Sequence, residues 1–185
     1  MNQATSHAMK DLFEAAKQGF APLLSTREVA KGACLHPVGA LGRDLFLVQQ
    51  GLLRSYYWAD GRDVTAHFAM EHGLIGAADS LIRGRPSRYA IEALEDSHCL
   101  VLAYPELEAF LEAHPQWEHV ARKISQYLYM DLVERFEGLL FLSAKERYAH
   151  LLDRYPGLEQ RVNLGHIASY LGIAPETLSR VRAQG

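Results

Sequence analysis

Cysteine is nearly absent from this chain: Cys34 and Cys99 stand far apart and in no ligand-spaced motif. That excludes a disulfide framework and a cysteine zinc site, and two buried free thiols are expected instead. No run of about 18 apolar residues occurs, so no membrane-spanning helix and no membrane partner are expected. Met1 to Lys10 lacks the apolar segment a secretory signal needs. An excess of positive charge is missing too. The formal net charge is −3, unlike proteins that coat nucleic acid by charge alone. Internal repeats and low-complexity segments are also lacking. These absences leave the expectation of a cytoplasmic globular protein whose 185 residues suffice for one domain or two small ones.

The most informative stretch lies near the C-terminus. Leu164, Ile167, Ala168 and Leu171 fall at the spacing of one apolar helix face. Asn163 is placed to cap that helix, and Gly172 supplies the left-handed residue that ends it. Pro175 then suits the first turn of a second helix. Leu178 and Val181 continue the apolar seam, while Glu176, Thr177, Ser179, Arg180 and Arg182 are free to point outward. An ordinary helical hairpin would show some of these features. Their agreement predicts a helix-turn-helix, whose second helix fits the DNA major groove. Charge is distributed accordingly: from Ser143 onward six basic residues face four acidic ones, so the negative balance lies upstream. This bias permits local phosphate contact without strong non-specific affinity.

Upstream, residues Asp11 to Phe20 have helix-forming composition, with Leu12, Phe13, Ala16 and Phe20 on one face. Short β-type runs follow at Leu45–Gln49, Leu52–Trp58, Val64–Met70, Tyr89–Leu94 and Leu100–Tyr104. Asp60-Gly61 marks a hairpin turn. Closely spaced strands of this kind predict a sandwich or jelly-roll barrel, in which the aromatics Tyr56, Tyr57, Trp58 and Phe68 read as barrel packing. Gln116 to Leu142 then carries an apolar stripe without proline, about 27 residues and roughly 40 Å if helical. Such a helix calls for something to cover it, and a second copy in a parallel pair would do so. The expected interface residues are Val120, Ile124, Tyr127, Leu128 and Leu132. Ser143-Ala144-Lys145-Glu146 reads as a capping box opening a further helix that runs through Asp153 or Arg154. The fold class is therefore α+β. Its expected parts are an N-terminal barrel over 1–114, a long dimerisation helix over 115–142 and a small helix-turn-helix domain over 143–185.

Barrel, long helix and helix-turn-helix in this order resemble the Crp/Fnr family of bacterial transcription regulators, and the resemblance covers nearly the whole chain. Leu47-Val48-Gln49-Gln50-Gly51 followed by Leu53-Arg54 is similar to the family's strand-turn-strand signature. Glu176-Thr177-Leu178-Ser179-Arg180 is similar to its recognition-helix pattern, especially that of the Fnr-like branch. The resemblance implies a homodimer on an inverted repeat of double-stranded DNA, with RNA polymerase as a further partner. It also implies that Glu176 and Arg180 reach base edges. The chemistry agrees, since Arg180 suits guanine O6/N7 and Glu176 suits cytosine N4. As a first-turn acid, Glu176 equally suits the helix dipole. The family often adds a β-hairpin wing after the recognition helix. Here the sequence stops at Arg182-Ala183-Gln184-Gly185, so two alternatives stay open: a wing that is short or absent, or a sequence cut before it.

The cyclic nucleotide cassette of such relatives uses a glutamate on the ribose and an arginine on the cyclic phosphate. In this sequence Ala77 stands in the glutamate position and Ser87 in the arginine position, with Arg88 displaced by one. A one-residue shift in a strand turns a side chain to the opposite face. Arg83, Arg85 and Arg88 read as solvated loop charges. Binding of cyclic AMP is therefore not expected, no cofactor is expected, and the small-molecule effector is unknown. Any effector pocket is implied around Ile75, Gly76, Ala77, Ala78, Ser87 and Arg88, with Tyr127 and Leu128 from the long helix. An Fnr-type iron–sulfur cluster needs four thiolates, which two cysteines cannot supply. His67 and His72 invite a metal or haem reading, but the ligand pattern of metal-binding jelly rolls is missing, so no metal site is expected. Two other functions compete with the regulator: a cupin-like small-molecule-binding protein, and a dimeric adaptor that does not touch DNA.

Overall fold

The computed structural model describes residues 3–183, so the outer limits expected at 1 and 185 lie outside the described residues. Helix α1 (Gln3–Gly19) leads into eight strands: β1 (Leu24–Val29), β2 (Cys34–His36), β3 (Asp44–Gln50), β4 (Leu53–Ala59), β5 (Arg62–Ala69), β6 (Leu74–Gly76), β7 (Ala90–Ala93) and β8 (Ser97–Ala103). A short helix α2 (Ala78–Arg83) sits between β6 and β7. The strands form two four-stranded sheets, ordered β1-β8-β3-β6 and β2-β7-β4-β5. Every pairing is antiparallel. After β8 come α3 (Tyr104–Ala113), a 3₁₀ turn, the long α4 (Glu118–Phe141), and α5 (Ala144–Arg154), α6 (Leu158–Arg161), α7 (Leu164–Leu171) and α8 (Pro175–Ala183).

Strand pattern explains the layering. In β3, Phe46 and Val48 enter the barrel core with Leu53, Ile75, Ile91 and Cys99. Its Leu45 and Leu47 face the other way, under α1, with Leu100, Leu102, Phe13 and Phe20. The first sheet is thus covered on both faces, which is why β3 and β8 are nearly continuous apolar runs. Burial pushes the Cys99 thiol up to about 11. Cys34 is exposed rather than buried, because β2 is a short edge strand.

The β4–β5 turn is the one the Asp60-Gly61 pair demands: both residues have positive φ, 50° and 74°. The aromatics nearby are not barrel filling. Trp58 is largely exposed, and Phe68 points out of the barrel into a separate cluster with Tyr155, Ile167, Tyr170 and Leu178. Gly51, which ends the strand-turn-strand signature, has φ 103°, and a Cβ there would lie 2.2 Å from Ser97 Oγ. Only glycine fits that turn.

Helix α4 begins three residues after Pro115, behind the 3₁₀ turn. Its first half is committed to its own chain: Val120, Ala121 and Ile124 pack on the α1 cluster beside Trp117. One face of its second half is bare, with Leu132 62%, Phe136 60% and Phe141 77% exposed. The exposed apolar surface therefore begins lower on the helix than the sequence pattern alone suggested.

Candidate nucleic-acid interface and effector cassette

The α7–α8 pair is built as its residues dictate. The Asn163 side chain accepts the His166 N–H at 2.9 Å, capping α7. Gly172, with φ 66°, ends it, and the Ile173 N–H reaches back to the Ala168 carbonyl at 3.1 Å. Ile167, Ala168 and Leu171 are buried, as is Leu178 on the inner side of α8. Outward, Glu176, Ser179, Arg180 and Arg182 are exposed and Thr177 is half-buried. Arg180 Nη2 donates to Thr177 Oγ1 at 3.2 Å. Arg182 lies beside the Tyr148 hydroxyl, which donates to Glu159. The capping box at the start of α5 is complete, with both reciprocal bonds between Ser143 and Glu146 formed.

This unit is docked on the barrel of its own chain. Arg54, only 3% exposed, is the centre of the contact. It bonds Asp63 at 2.6 Å, Glu92 at 2.6 Å and Thr65 Oγ1 at 3.1 Å, and meets His166 Nδ1 from α7. Ser169 on α7 accepts the Thr65 N–H at 3.1 Å. Arg135 of α4 donates to the Ala66, Thr65 and Tyr170 carbonyls, and its guanidinium lies over the Tyr170 ring. Arg161 pairs with Glu71 at 2.9 Å and with Glu95. The Phe68–Tyr155–Tyr170 aromatic group fills the space between them. No sequence pattern marked Arg135 or Arg161, and Arg54, quoted as part of the strand-turn-strand signature, gave no sign of this contact beyond being a charge inside a half-apolar strand run.

Burial weakens proton binding at two imidazoles of this junction, His67 and His166, and at His36 on β2 beside the cassette. Burial, then Arg154 and Arg135, pushes His67 down to about 4, although Asp131 stands 3.9 Å away and is itself paired to Arg154. Burial lowers His36, and burial with the Arg54 charge lowers His166. Each of the three binds its proton less tightly folded than unfolded, so unfolding takes up protons below about pH 6.5. Thermal denaturation should therefore shift to lower temperature between pH 7 and pH 5. His67→Gln, uncharged at both, should shift less.

The cassette positions come together around a residue that the sequence pattern did not single out. Ile75 and Ala77 are buried, Gly76 abuts Leu45 and Leu81, and Ala78 is exposed. Ser87, 2% exposed, donates to Asp79 Oδ1 at 2.6 Å, and the Arg88 N–H donates to Asp79 Oδ2 at 3.1 Å. Burial opposes ionisation of Asp79, but the Ser87 hydroxyl and the Arg88 and Ser80 N–H groups hold it below the usual carboxylate range. An internal carboxylate thus takes the donors at the position where relatives are expected to hold an anion. The Arg88 side chain is exposed, as are Arg83 and Arg85. Tyr127 is engaged elsewhere, beside Arg154 and Asp131, and Leu128 is half-buried on α4. Among the described residues no cluster of His, Cys, Asp and Glu could hold a metal ion, and no helix is long and apolar enough to cross a membrane.

Residues 26–114 match the cyclic nucleotide-binding domain family. The whole architecture, barrel through α8, is shared with solved regulators. FixK2 from Bradyrhizobium japonicum superposes with a TM-score of 0.70 at 23% identity, over 87% of this chain and 83% of that one. A Crp/Fnr family transcriptional regulator from Eubacterium rectale gives 0.65 at 22% identity, over 98% and 82%. The chain has the Crp/Fnr fold. The c-di-GMP-responsive global regulator CLP of Xanthomonas campestris has the same fold, with a TM-score of 0.68 at 15% identity over 92% of this chain and 90% of that one. No curated protein sequence matches the chain. The Crp/Fnr fold accounts for the order of barrel, long helix and C-terminal helix pair. It leaves the roles of individual residues to be argued from their chemistry.

Proposed function

We propose that this protein is a sequence-specific DNA-binding transcription regulator that works as a homodimer and does not read cyclic nucleotides. The observation that carries the proposal is α8: its inner residue Leu178 is fully buried, while Glu176, Ser179 and Arg180 are exposed together. A helix held from behind by α7 and presenting a carboxylate, a hydroxyl and a guanidinium outward suits direct readout of base edges in the major groove. Arg182, drawn toward Tyr148, is assigned to phosphate. In this reading residues 1–114 form a sensor-like barrel, 115–142 the dimerisation helix and 143–185 the DNA-binding unit.

The second copy covers the lower half of α4, through Leu132, Phe136, Leu139 and Leu140, with Leu128 above them. Val120 and Ile124, engaged with α1, contribute less to the pairing than their spacing implied. Two recognition helices related by a two-fold axis should then enter successive major grooves about 34 Å apart.

Arg180→Ala tests the assignment. It should weaken binding by roughly 1–3 kcal/mol per contacted half-site and relax preference at one base pair. Arg182→Ala should weaken all sequences alike and flatten the salt dependence by about one unit for each phosphate it no longer neutralises. Unchanged affinity and preference on footprinting of Arg180→Ala would show that α8 has been misread.

The barrel carries a separate expectation. With Asp79 holding the Ser87 and Arg88 donors, and Ala77 offering no ribose partner, calorimetric titration should show no tight binding of cyclic AMP or cyclic GMP. Micromolar affinity for either would overturn this part of the reading.

A further inference from the structure

A cavity half open to solvent, with about 80 Å³ of sheltered space, lies where α4, α5 and α7 meet, beside the contact between the long helix and the α7–α8 unit. Its floor includes Gly138, the one buried residue of α4. Glycine weakens a helix interior, so its presence there asks for a reason. Packing does not supply one. A Cβ built on Gly138 meets only Leu142 Cδ1, at an ordinary 3.8 Å. The missing side chain instead leaves the cavity open. Leu142, Leu151 and Leu171 make its walls largely apolar.

Two guanidinium groups on the same wall are bonded only to neutral partners. Arg147 donates to the Leu171 carbonyl at 3.0 Å and the Leu142 carbonyl at 2.7 Å. Arg135 donates to the Ala66, Thr65 and Tyr170 carbonyls, and its buried Nε has no hydrogen-bond partner among the described residues. Neither forms an ion pair among the described residues. Arg154, the third guanidinium of the lining, is paired to Asp131. Asp131 and the exposed Glu134 are the only carboxylates among the residues lining the cavity, so three fixed positive charges face two negative ones.

We infer that this cavity binds a small amphipathic monoanion, an apolar chain lying over Gly138 with a carboxylate-type head at Arg135 and Arg147. One negative charge balances the lining, and charge-assisted bonds to guanidinium are the strong ones in a partly dry site. The apolar walls take the chain. An occupant touches α4, α5 and α7 together, so it bears on how the α7–α8 unit sits against the long helix. The site is separate from the cassette and does not depend on the DNA-binding reading; at its edge it shares Leu139 with the α4 surface assigned to the second copy.

The test is titration of the full chain with octanoate at pH 8, read by calorimetry and by unfolding temperature, with octylammonium and octanol as controls. Octanoate should bind saturably, once per chain, and raise the unfolding temperature; octylammonium should do neither, and octanol should bind more weakly. Gly138→Leu should fill the cavity, abolish octanoate binding and leave the unliganded protein at least as heat-stable. Glu134→Gln, at an exposed position, should strengthen octanoate binding severalfold whatever becomes of the glycine variant. The inference is overturned if octanoate does not saturate, if octylammonium binds equally, if Gly138→Leu folds and still binds, or if Glu134→Gln changes nothing.

Discussion

A chain carrying Leu132→Asp and Phe136→Asp should be monomeric and should bind DNA about a hundredfold or more weakly, while unfolding at nearly the wild-type temperature. Both side chains are about 60% exposed in the single chain, so replacing them disturbs little of its own packing. In a two-fold interface each substitution occurs twice, placing four carboxylates in an apolar seam. Burying an unpaired charge there is worth several kcal/mol against association. The drop in DNA affinity follows because a monomer engages one half-site and forfeits the other. Sedimentation and light scattering read the first effect, and electrophoretic shift on a selected site reads the second. A wild-type chain that stays monomeric at high micromolar concentration would remove the basis for the expectation.

The second large effect belongs to Arg54. Arg54→Met should destabilise the protein by about 3 kcal/mol, because it leaves Glu92 and Asp63 without their cation where water reaches only in part. Asp63 is 37% exposed, which keeps the effect at the low end for a broken buried pair. Thr65 and His166 lose a partner as well, so amide exchange in α7 should accelerate more than in the first sheet. Adding Glu92→Leu should restore a large part of the stability, since a well-packed apolar replacement of an ion pair is often neutral. A loss below about 1 kcal/mol on chemical denaturation would mean that Arg54 does not hold the junction.

The local chemistry of the chain was legible. Asn163, Gly172 and Ser143-Glu146 act at short range, where a cap or a left-handed residue needs few neighbours, and each forms the bond its type implies. Asp60-Gly61 turned the β4–β5 hairpin for the same reason. Strands β1, β2 and β6 were not foreseen. Two are only three residues long, and β1 shows four exposed residues in a row, so neither alternation nor an apolar run announces them.

What could not be read was which face meets which. The stripe on α4 is one pattern in sequence but two surfaces in the fold, because α1 takes Val120 and Ile124 and leaves Leu132 and Phe136 bare. Phe68 has the look of barrel core, yet it serves the α7–α8 unit across the β4–β5 hairpin. Asp79 was hidden because its role depends on Ser87 and Arg88, eight and nine residues away, folding back onto it.

Selection of bound duplexes from a random pool by the full-length protein tests the central claim most directly. The account predicts an enriched imperfect inverted repeat with half-sites about one helical turn apart. The same selection with Arg180→Ala should lose preference at one position in each half. Enrichment of no sequence at all, or of a motif without two-fold symmetry that Arg180→Ala leaves intact, would contradict it.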